Sequence, residues 1–154
     1  MIALPVFEGM KMPTLISIYA LCVVALFVKM LAISCYQGFY RISRLTFKNS
    51  EDAGFVGRQA SPEELPQVSR AAQAWANDLE NIPLFFVLGA LCLVFNPPLL
   101  FTAGLMVLFT VARLVHTVTY LARWQPWRTI AYAVGIMCLL GLAAMVSMGA
   151  LRHW

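Results

Sequence analysis

Apolar residues form four long runs along the chain, at about residues 14–39, 75–95, 99–121 and 128–150. A helix that crosses a bilayer needs about 20 predominantly apolar residues, and each run reaches that length. Within hydrocarbon, backbone polar groups must be paired inside the protein, and a helix pairs them within one segment. The pattern therefore predicts an all-α fold, an integral membrane four-helix bundle that forms a single domain over residues 1–154.

The overall composition is that of a membrane protein and excludes several function classes. Hydrophobic residues make up 61% of the chain and charged residues only 12%, which lies outside the range of ordinary soluble domains. The 4 cysteines lack any C-x-x-C spacing, so neither a disulfide framework nor a zinc site is expected. The net charge of +4 fits membrane orientation and no nucleic-acid motif accompanies it, so we expect no metal and no nucleic-acid partner.

The one long polar connection lies between the first two runs, at about residues 46–67. The first helix is expected to continue past its apolar run to Arg44 before this connection begins. Within the connection, Ser61 is followed by Pro62 and then by Glu64, which is the spacing of a capping box. This spacing predicts a short helix that begins at Ser61 and leads into the second span.

Polar residues line one face of each of the two middle helices. On the second helix and the segment before it, the stripe consists of Arg70, Gln73, Asn77 and Glu80. On the third helix, the stripe consists of Arg113, His116, Thr117 and Tyr120. Spacings of three, four and seven residues place side chains on one helix face. Such a stripe either grips a zwitterionic ligand or hydrogen-bonds to neighbouring helices, and spacing alone favours neither.

Lys29 is the one charged residue inside the first apolar run. It lies 12 positions before Arg41, roughly 18 Å along a helix, which is too deep for its ammonium group to reach the membrane surface easily. An unpaired lysine at that depth costs about 2.5–3.5 kcal/mol. We therefore expect a carboxylate partner, either Asp78 or Glu80.

Lysine and arginine are concentrated in the first and third connections, whereas the other side of the predicted bundle carries only Lys11 and Arg152. Because positively charged loops stay cytoplasmic, both termini are expected on the opposite face of the membrane. The polar ends of the helices then meet on the cytoplasmic side. We therefore expect one polar site that draws on all four helices and faces the cytoplasm.

The arginines of this cytoplasmic half suit an anionic ligand that also bears an amine, since guanidinium groups fit carboxylates and Glu80 can take an ammonium group. Any single arginine is also explained by the ordinary positive-inside belt. No Ser-His-Asp or Cys-His pair stands at a helical spacing, and His116 with Tyr120 offers too few ligands for a metal. The nucleophile is therefore expected to arrive with the ligand. A thiol fits, because a guanidinium lowers its pKa and the thiolate attacks apolar electrophiles dissolved in the bilayer.

Four segments carry a resemblance to a known family. They are Arg41 with residues 47–53 (FKNSEDA), residues 77–82 (NDLENI), residues 112–121 (ARLVHTVTYL) and residues 126–129 (PWRT). Through them the chain resembles the membrane-associated proteins in eicosanoid and glutathione metabolism (MAPEG), in the branch of microsomal glutathione transferases and prostaglandin E synthases. The resemblance extends over nearly the whole chain.

The resemblance implies a homotrimer of four-helix subunits that binds glutathione, as a co-substrate, between neighbouring subunits. It implies an enzyme of detoxification, a transferase or peroxidase that conjugates the glutathione thiolate to hydrophobic electrophiles or reduces lipid hydroperoxides. Its partners would be these substrates and membrane lipid, and its location the bacterial inner membrane or the endoplasmic reticulum, with the active site facing the cytoplasm.

The resemblance also implies roles for individual residues. Arg128 would face the sulfur and stabilise the thiolate, with Thr129 beside it as the second catalytic residue. Asp52 matches an acidic position that is either an acid/base partner or an organiser of its loop. The residues expected to bind glutathione are Arg41, Arg70, Gln73, Asn77, Glu80, Arg113, His116, Tyr120 and Tyr132.

The chain departs from the family pattern just before Asn77. Relatives place an arginine where this chain has Gln73, and Trp75 and Ala76 replace residues that are common there. Fewer charges would then hold the carboxylates of glutathione. Arg70, one turn earlier on the same stripe, is expected to compensate.

Three other functions compete with this interpretation. A small transporter would use Glu80 or Lys29 as its coupling residue and need no thiol, but the arginine-rich site lies on one side of the predicted bundle and the first helix has no carboxylate near its midplane. A lipid-binding scaffold without catalysis would have no use for Arg128 or for Asn77 with Glu80. Thiol–disulfide exchange with quinone is disfavoured because the cysteines are not paired in spacing.

The predicted orientation is directly testable. Reporter fusions or cysteine labels at residues 57 and 154 are expected on opposite faces of the membrane, because an odd number of predicted spans separates the two positions. Finding both positions on the same face would exclude the four-span arrangement.

Overall fold

The structure, a computed structural model, describes residues 6–95 and 97–152, with side chains from residue 14 onwards. Over this part of the chain the backbone is helical and contains no strand. The helices are α1 (Val6–Arg44), α2 (Ser50–Phe55), α3 (Pro66–Phe95), α4 (Leu99–Ala122) and α5 (Trp127–Arg152). The 4 long helices are each long and apolar enough to cross a membrane, which confirms the all-α membrane fold.

The helix predicted at Ser61 is absent, and this prediction was wrong. The hydroxyl of Ser61 donates to the carbonyl oxygen of Glu63 at 2.8 Å, and the carboxylate of Glu64 is bound by Arg41. Glu64 therefore does not reach back to close a capping box. The helix α3 begins at Pro66 instead, ahead of its apolar run, and a short helix that the sequence did not predict, α2, lies earlier in the connection.

The ends of the first and third spans are sharp. The helix α1 ends at Arg44, where the sequence predicts its end, and Leu45 follows with a φ of 47°. The helix α4 ends at Ala122, and Arg123 takes the left-handed conformation with a φ of 64°. The backbone N–H of Trp124 then bonds to the carbonyl oxygen of Thr119 at 2.9 Å, which closes the last turn of α4.

The helices α3 and α4 form the centre of the bundle. Both α1 and α5 pack against this central pair, but α1 and α5 do not contact each other within the described residues. The apolar core lies between these helices, where the rings of Phe85 and Phe109 stack with their centroids 4.6 Å apart. The helices α1 and α5 are therefore linked to each other only through α3 and α4 in the described part of the chain.

Tyr19 of α1 packs directly over Gly89 of α3. A Cβ atom at residue 89 would lie 2.5 Å from Cε2 of Tyr19, closer than side chains approach each other. The Tyr19 hydroxyl donates to the carbonyl oxygen of Phe86 at 2.8 Å, so the ring is held in place. The missing side chain of Gly89 thus permits the close approach of α1 to α3, as small residues do between membrane helices.

We expect Gly89→Ala to lower the melting temperature in detergent, because the methyl group must displace the Tyr19 ring and its hydrogen bond. Overpacking of this kind costs about 1–3 kcal/mol. Gly104→Ala in α4 is the matched control, since a Cβ atom there meets nothing within 4 Å. If Gly89→Ala is as stable as Gly104→Ala, the contact with Tyr19 does not constrain the bundle.

Candidate active site

A cluster of three buried charges joins the helices α1, α3 and α4. Lys29 is 6% exposed, Asp78 0% and Arg113 1%. One oxygen of the Asp78 carboxylate forms an ion pair with Lys29, and the other accepts hydrogen bonds from Nε and Nη2 of Arg113. The expected carboxylate partner of Lys29 is therefore confirmed, and it is Asp78. Glu80, the other candidate, is exposed.

This cluster carries two formal positive charges and one formal negative charge. An excess charge inside a membrane span is costly unless a partner or ligand balances it. The amide oxygen of Asn77 partly balances the excess positive charge, because it accepts a hydrogen bond from Nη2 of Arg113 at 2.7 Å. The cluster thus leads from the interior of the bundle to Asn77, which is partly exposed.

A second polar group lies on α3, α4 and the start of α5. The hydroxyl of Tyr120 donates to Oε1 of Gln73 at 3.1 Å. The guanidinium carbon of Arg128 lies 4.7 Å from the centroid of the Tyr120 ring, which is the geometry of a cation–π interaction. Gln73, Tyr120 and Arg128 were singled out from the sequence, and the structure brings them together.

Gln125, in the turn between α4 and α5, orients the two residues that were predicted to be catalytic. In the amide orientation that satisfies all three side chains, its oxygen accepts from Nη2 and Nε of Arg128 at 2.7 and 3.1 Å. Its amide nitrogen then donates to Oγ1 of Thr129 at 3.1 Å. Arg128 therefore has a fixed position above Tyr120, and only part of its side chain is exposed.

His116 lies beside this group, with its ring buried between two tyrosines. Its ring centroid is 5.6 Å from that of Tyr120 and 6.1 Å from that of Tyr132. Its Nδ1 atom has no hydrogen-bond partner among the described residues. A buried polar atom without a partner is uncommon, and it leaves the ring nitrogen available to a ligand.

The other residues predicted to bind a ligand lie apart from this group or have different contacts. Nε of Arg70 is buried without a partner in the described part of the chain, one turn before Gln73 on α3. Glu80 is exposed on the same helix. Asp52 is exposed in α2, where it accepts a hydrogen bond from Asn49 at 3.4 Å. The ligand-binding and catalytic roles of all these residues stay predictions.

Arg41 is engaged with the polar connection. Its Nε and Nη2 both donate to Oε2 of Glu64, at 3.2 and 2.6 Å. The backbone N–H of Leu65 donates to the other carboxylate oxygen at 3.2 Å. The hydrogen bond from Arg41 is the main reason that the pKa of Glu64 lies below its ordinary value. This ion pair ties the end of α1 to the segment that precedes α3.

The sequence did not identify two features of this arrangement. No sequence pattern singled out Gln125, because its contact with Arg128 depends on the turn that follows the left-handed residue Arg123. The sequence offered Asp78 only as a partner for Lys29, yet it binds Arg113 as well. The described residues contain no group of three or more His, Cys, Asp or Glu side chains that would hold a metal ion.

The chain is similar to several known proteins. Residues 19–148 match the sequence profile of a family described as "MAPEG family". A prostaglandin E synthase of Equus caballus is 30% identical over 152 residues, which cover 98% of this chain and 97% of that protein. The microsomal glutathione S-transferase 1 of Sus scrofa is 34% identical over 120 residues, which cover 75% of this chain and 77% of that protein. The prostaglandin E synthase of Homo sapiens is 30% identical over 136 residues, 88% of this chain and 90% of that protein.

The ion pair of Arg41 with Glu64 predicts a pH dependence of the polar connection. The pKa of Glu64 is lower in the folded protein than in the unfolded chain, where it is about 4.3. The ion pair therefore stabilises the fold fully above that pH, and this stabilisation is lost as the pH falls through the folded pKa. At neutral pH we expect Glu64→Gln to raise hydrogen exchange at residues 58–66 a few-fold, since a partly exposed pair is worth about 0.2–1 kcal/mol.

The parent protein is expected to approach the exchange rates of Glu64→Gln in acid, after correction for intrinsic exchange. Glu63→Gln is the matched control, because Glu63 is an exposed neighbour. Equal exchange in the two variants at neutral pH would show that the ion pair does not hold this segment.

Proposed function

The chain belongs to the MAPEG family, and on this basis we propose that it is a glutathione-dependent membrane transferase. Its substrates would be hydrophobic electrophiles, to which it conjugates the glutathione thiolate, or lipid hydroperoxides, which it reduces. The observation that supports this proposal is the position of the arginine at the start of α5. Arg128 is held over Tyr120 and beside Gln125, within the same bundle that carries an excess of buried positive charge.

Glutathione supplies a thiol, two carboxylates and an ammonium group, and the candidate residues match these groups. The amides of Asn77 and Gln73 would bind its polar backbone, and Glu80 its ammonium group. His116, Tyr120 and Tyr132 would form the walls of the site. Arg70, whose Nε has no partner among the described residues, would bind a carboxylate in place of the arginine that Gln73 replaces.

The proposed chemistry needs no nucleophile from the protein. A guanidinium close to sulfur stabilises the thiolate and not the thiol, so Arg128 would lower the pKa of the bound glutathione. In conjugation, the sulfur forms a bond to the electrophilic carbon and the leaving group departs with its electron pair. In peroxide reduction, the thiolate sulfur attacks the terminal oxygen, the O–O bond breaks, and the departing alkoxide takes a proton from water to become the alcohol. A second glutathione then converts the resulting sulfenic acid to glutathione disulfide and water.

We also propose that the protein is a homotrimer with its site on the cytoplasmic face of a bacterial inner membrane or the endoplasmic reticulum. The separation of α1 from α5 within one subunit supports this proposal. Both helices present exposed apolar side chains, such as Phe27 on α1 and Met137 on α5. In a trimer, α1 of one subunit would lie near α5 of its neighbour, and Arg41 would approach Arg128 from there. The mass of the detergent-solubilised protein tests the subunit number.

The function is tested by titrating the purified protein with glutathione while the thiolate absorbance is recorded between pH 5 and 9, a range chosen around the free thiol pKa of about 8.5. We expect the parent to form thiolate at a lower pH than free glutathione. Arg128→Leu is expected to shift this pH upward by about one unit or more, since a shift of one unit is about 1.4 kcal/mol. Its glutathione affinity is expected to change less than its conjugation rate with a chlorinated nitrobenzene.

Arg123→Leu is the matched control for this experiment. Arg123 is an exposed arginine that directly follows α4, five residues before Arg128, and contact with lipid phosphate is sufficient to explain its charge. If Arg123→Leu loses activity while Arg128→Leu keeps the rate and pH profile of the parent, Arg128 is not the catalytic arginine. A parent protein that binds no glutathione would overturn the proposed function.

A further inference from the structure

We propose that Lys29, Asp78 and Arg113 are positioning residues that orient the amide of Asn77 toward glutathione. This inference rests on the proposed function and assigns a role to side chains that do not themselves touch the ligand. All three are nearly or fully buried. In particular, Arg113 was expected from the sequence to contact glutathione, whereas its Nε and Nη2 atoms are occupied by Asp78 and Asn77.

The contacts form a continuous path from α1 to the ligand-binding face of α3. Lys29 pairs with Oδ2 of Asp78, and Oδ1 of Asp78 accepts from Arg113. Nη2 of Arg113 then donates to Oδ1 of Asn77 at 2.7 Å. Each side chain is paired or hydrogen-bonded to the next. Asn77, the last of the four, is the only one that is partly exposed.

The bond from Arg113 decides which end of the Asn77 amide faces the ligand. Arg113 can only donate, so the atom that meets it must be the amide oxygen. The NH2 group of Asn77 therefore points the other way, and it has no side-chain partner among the described residues. It is available to donate to a carbonyl or carboxylate oxygen of glutathione. The opposite orientation would present an acceptor to these oxygens and repel them.

Lys29 has a separate part in this arrangement. A carboxylate and a guanidinium prefer a bidentate pair, in which both carboxylate oxygens accept from the arginine. Because Lys29 holds Oδ2 of Asp78, only Oδ1 accepts from Arg113 in the structure. Without Lys29, Asp78 can rotate to bind Arg113 through both oxygens and draw Nη2 away from Asn77. Lys29 thus keeps Arg113 shared between Asp78 and Asn77.

Gly135 of α5 lies beside the stem of Arg113. A Cβ atom at residue 135 would lie 3.7 Å from Cδ of the arginine, an ordinary van der Waals distance, so α5 lines the path of this side chain without crowding it.

The test compares Lys29→Met with Leu26→Ala in the full-length, detergent-solubilised protein. Both changes are at buried positions of α1, one turn apart, but Leu26 belongs to the apolar core. We expect Lys29→Met to raise the Kd and KM for glutathione about tenfold, within the range of coupling between contacting residues. The kcat at saturating glutathione and the thiolate pH profile should stay within about twofold, or 0.3 pH units, of the parent. Leu26→Ala is expected to lower the melting temperature without changing the Kd.

A double-mutant cycle with Asn77→Ala tests whether Lys29 acts on glutathione binding through Asn77. In the Asn77→Ala background, Lys29→Met is expected to cause no further loss of glutathione affinity, because the amide through which it acts is gone. If Lys29→Met weakens binding equally in both backgrounds, or if the folded single variant binds glutathione like the parent, the positioning role is wrong.

Arg113→Lys provides a second variant in case Lys29→Met does not fold. A lysine keeps the charge beside Asp78 but lacks the planar fork that serves Asp78 and Asn77 together. We expect the same loss of affinity, again cancelled by Asn77→Ala, and an unchanged affinity would overturn the proposal. Failure of the parent to bind glutathione would instead overturn the proposed function, so the two failures are distinguishable.

Discussion

The buried carboxylate of Asp78 is the contact on which the arrangement of the bundle depends. Lys29 from α1 and Arg113 from α4 converge on it, and it lies on the central helix α3. Apolar packing alone does not select which helix faces meet in a membrane, because lipid tails are as apolar as the side chains. A buried ion pair does select them, since removing one partner costs about 3–5 kcal/mol. Asp78 thus sets the rotation of α1, α3 and α4 relative to one another.

This contact also determines where the polar side chains of the two central helices lie relative to one another. Fixing Arg113 also fixes Asn77, and the same rotation of α4 places Tyr120 next to Gln73. The turn after α4 then brings Arg128 over the Tyr120 ring. Arg128 is therefore held by Tyr120 of α4 and by Gln125 of the turn, which limits the motion of its side chain.

Regular spacing explains why several of these residues were identified from the sequence. A helical repeat places Arg113, His116 and Tyr120 on one face whatever the tertiary structure, and the depth of Lys29 requires a nearby carboxylate. Contacts across long loops do not follow such rules. Glu64 has the local spacing of a helix cap, but it binds Arg41 at the end of α1, and this tertiary contact overrides the local preference. The helix predicted at Ser61 failed for that reason.

The sequence by itself determined the membrane class, the four spans, the two polar stripes and the need for a partner to Lys29, because hydropathy and helical periodicity are local properties of the chain. Only the tertiary structure decided that Asp78 and not Glu80 is that partner, that Gln125 holds Arg128, and that α1 and α5 lie apart. Two carboxylates two residues apart differ in which helix face they occupy, and the rotation of a helix follows from packing against its neighbours. The identity of a contact therefore depends on the whole bundle, whereas the existence of a helix depends on its own residues.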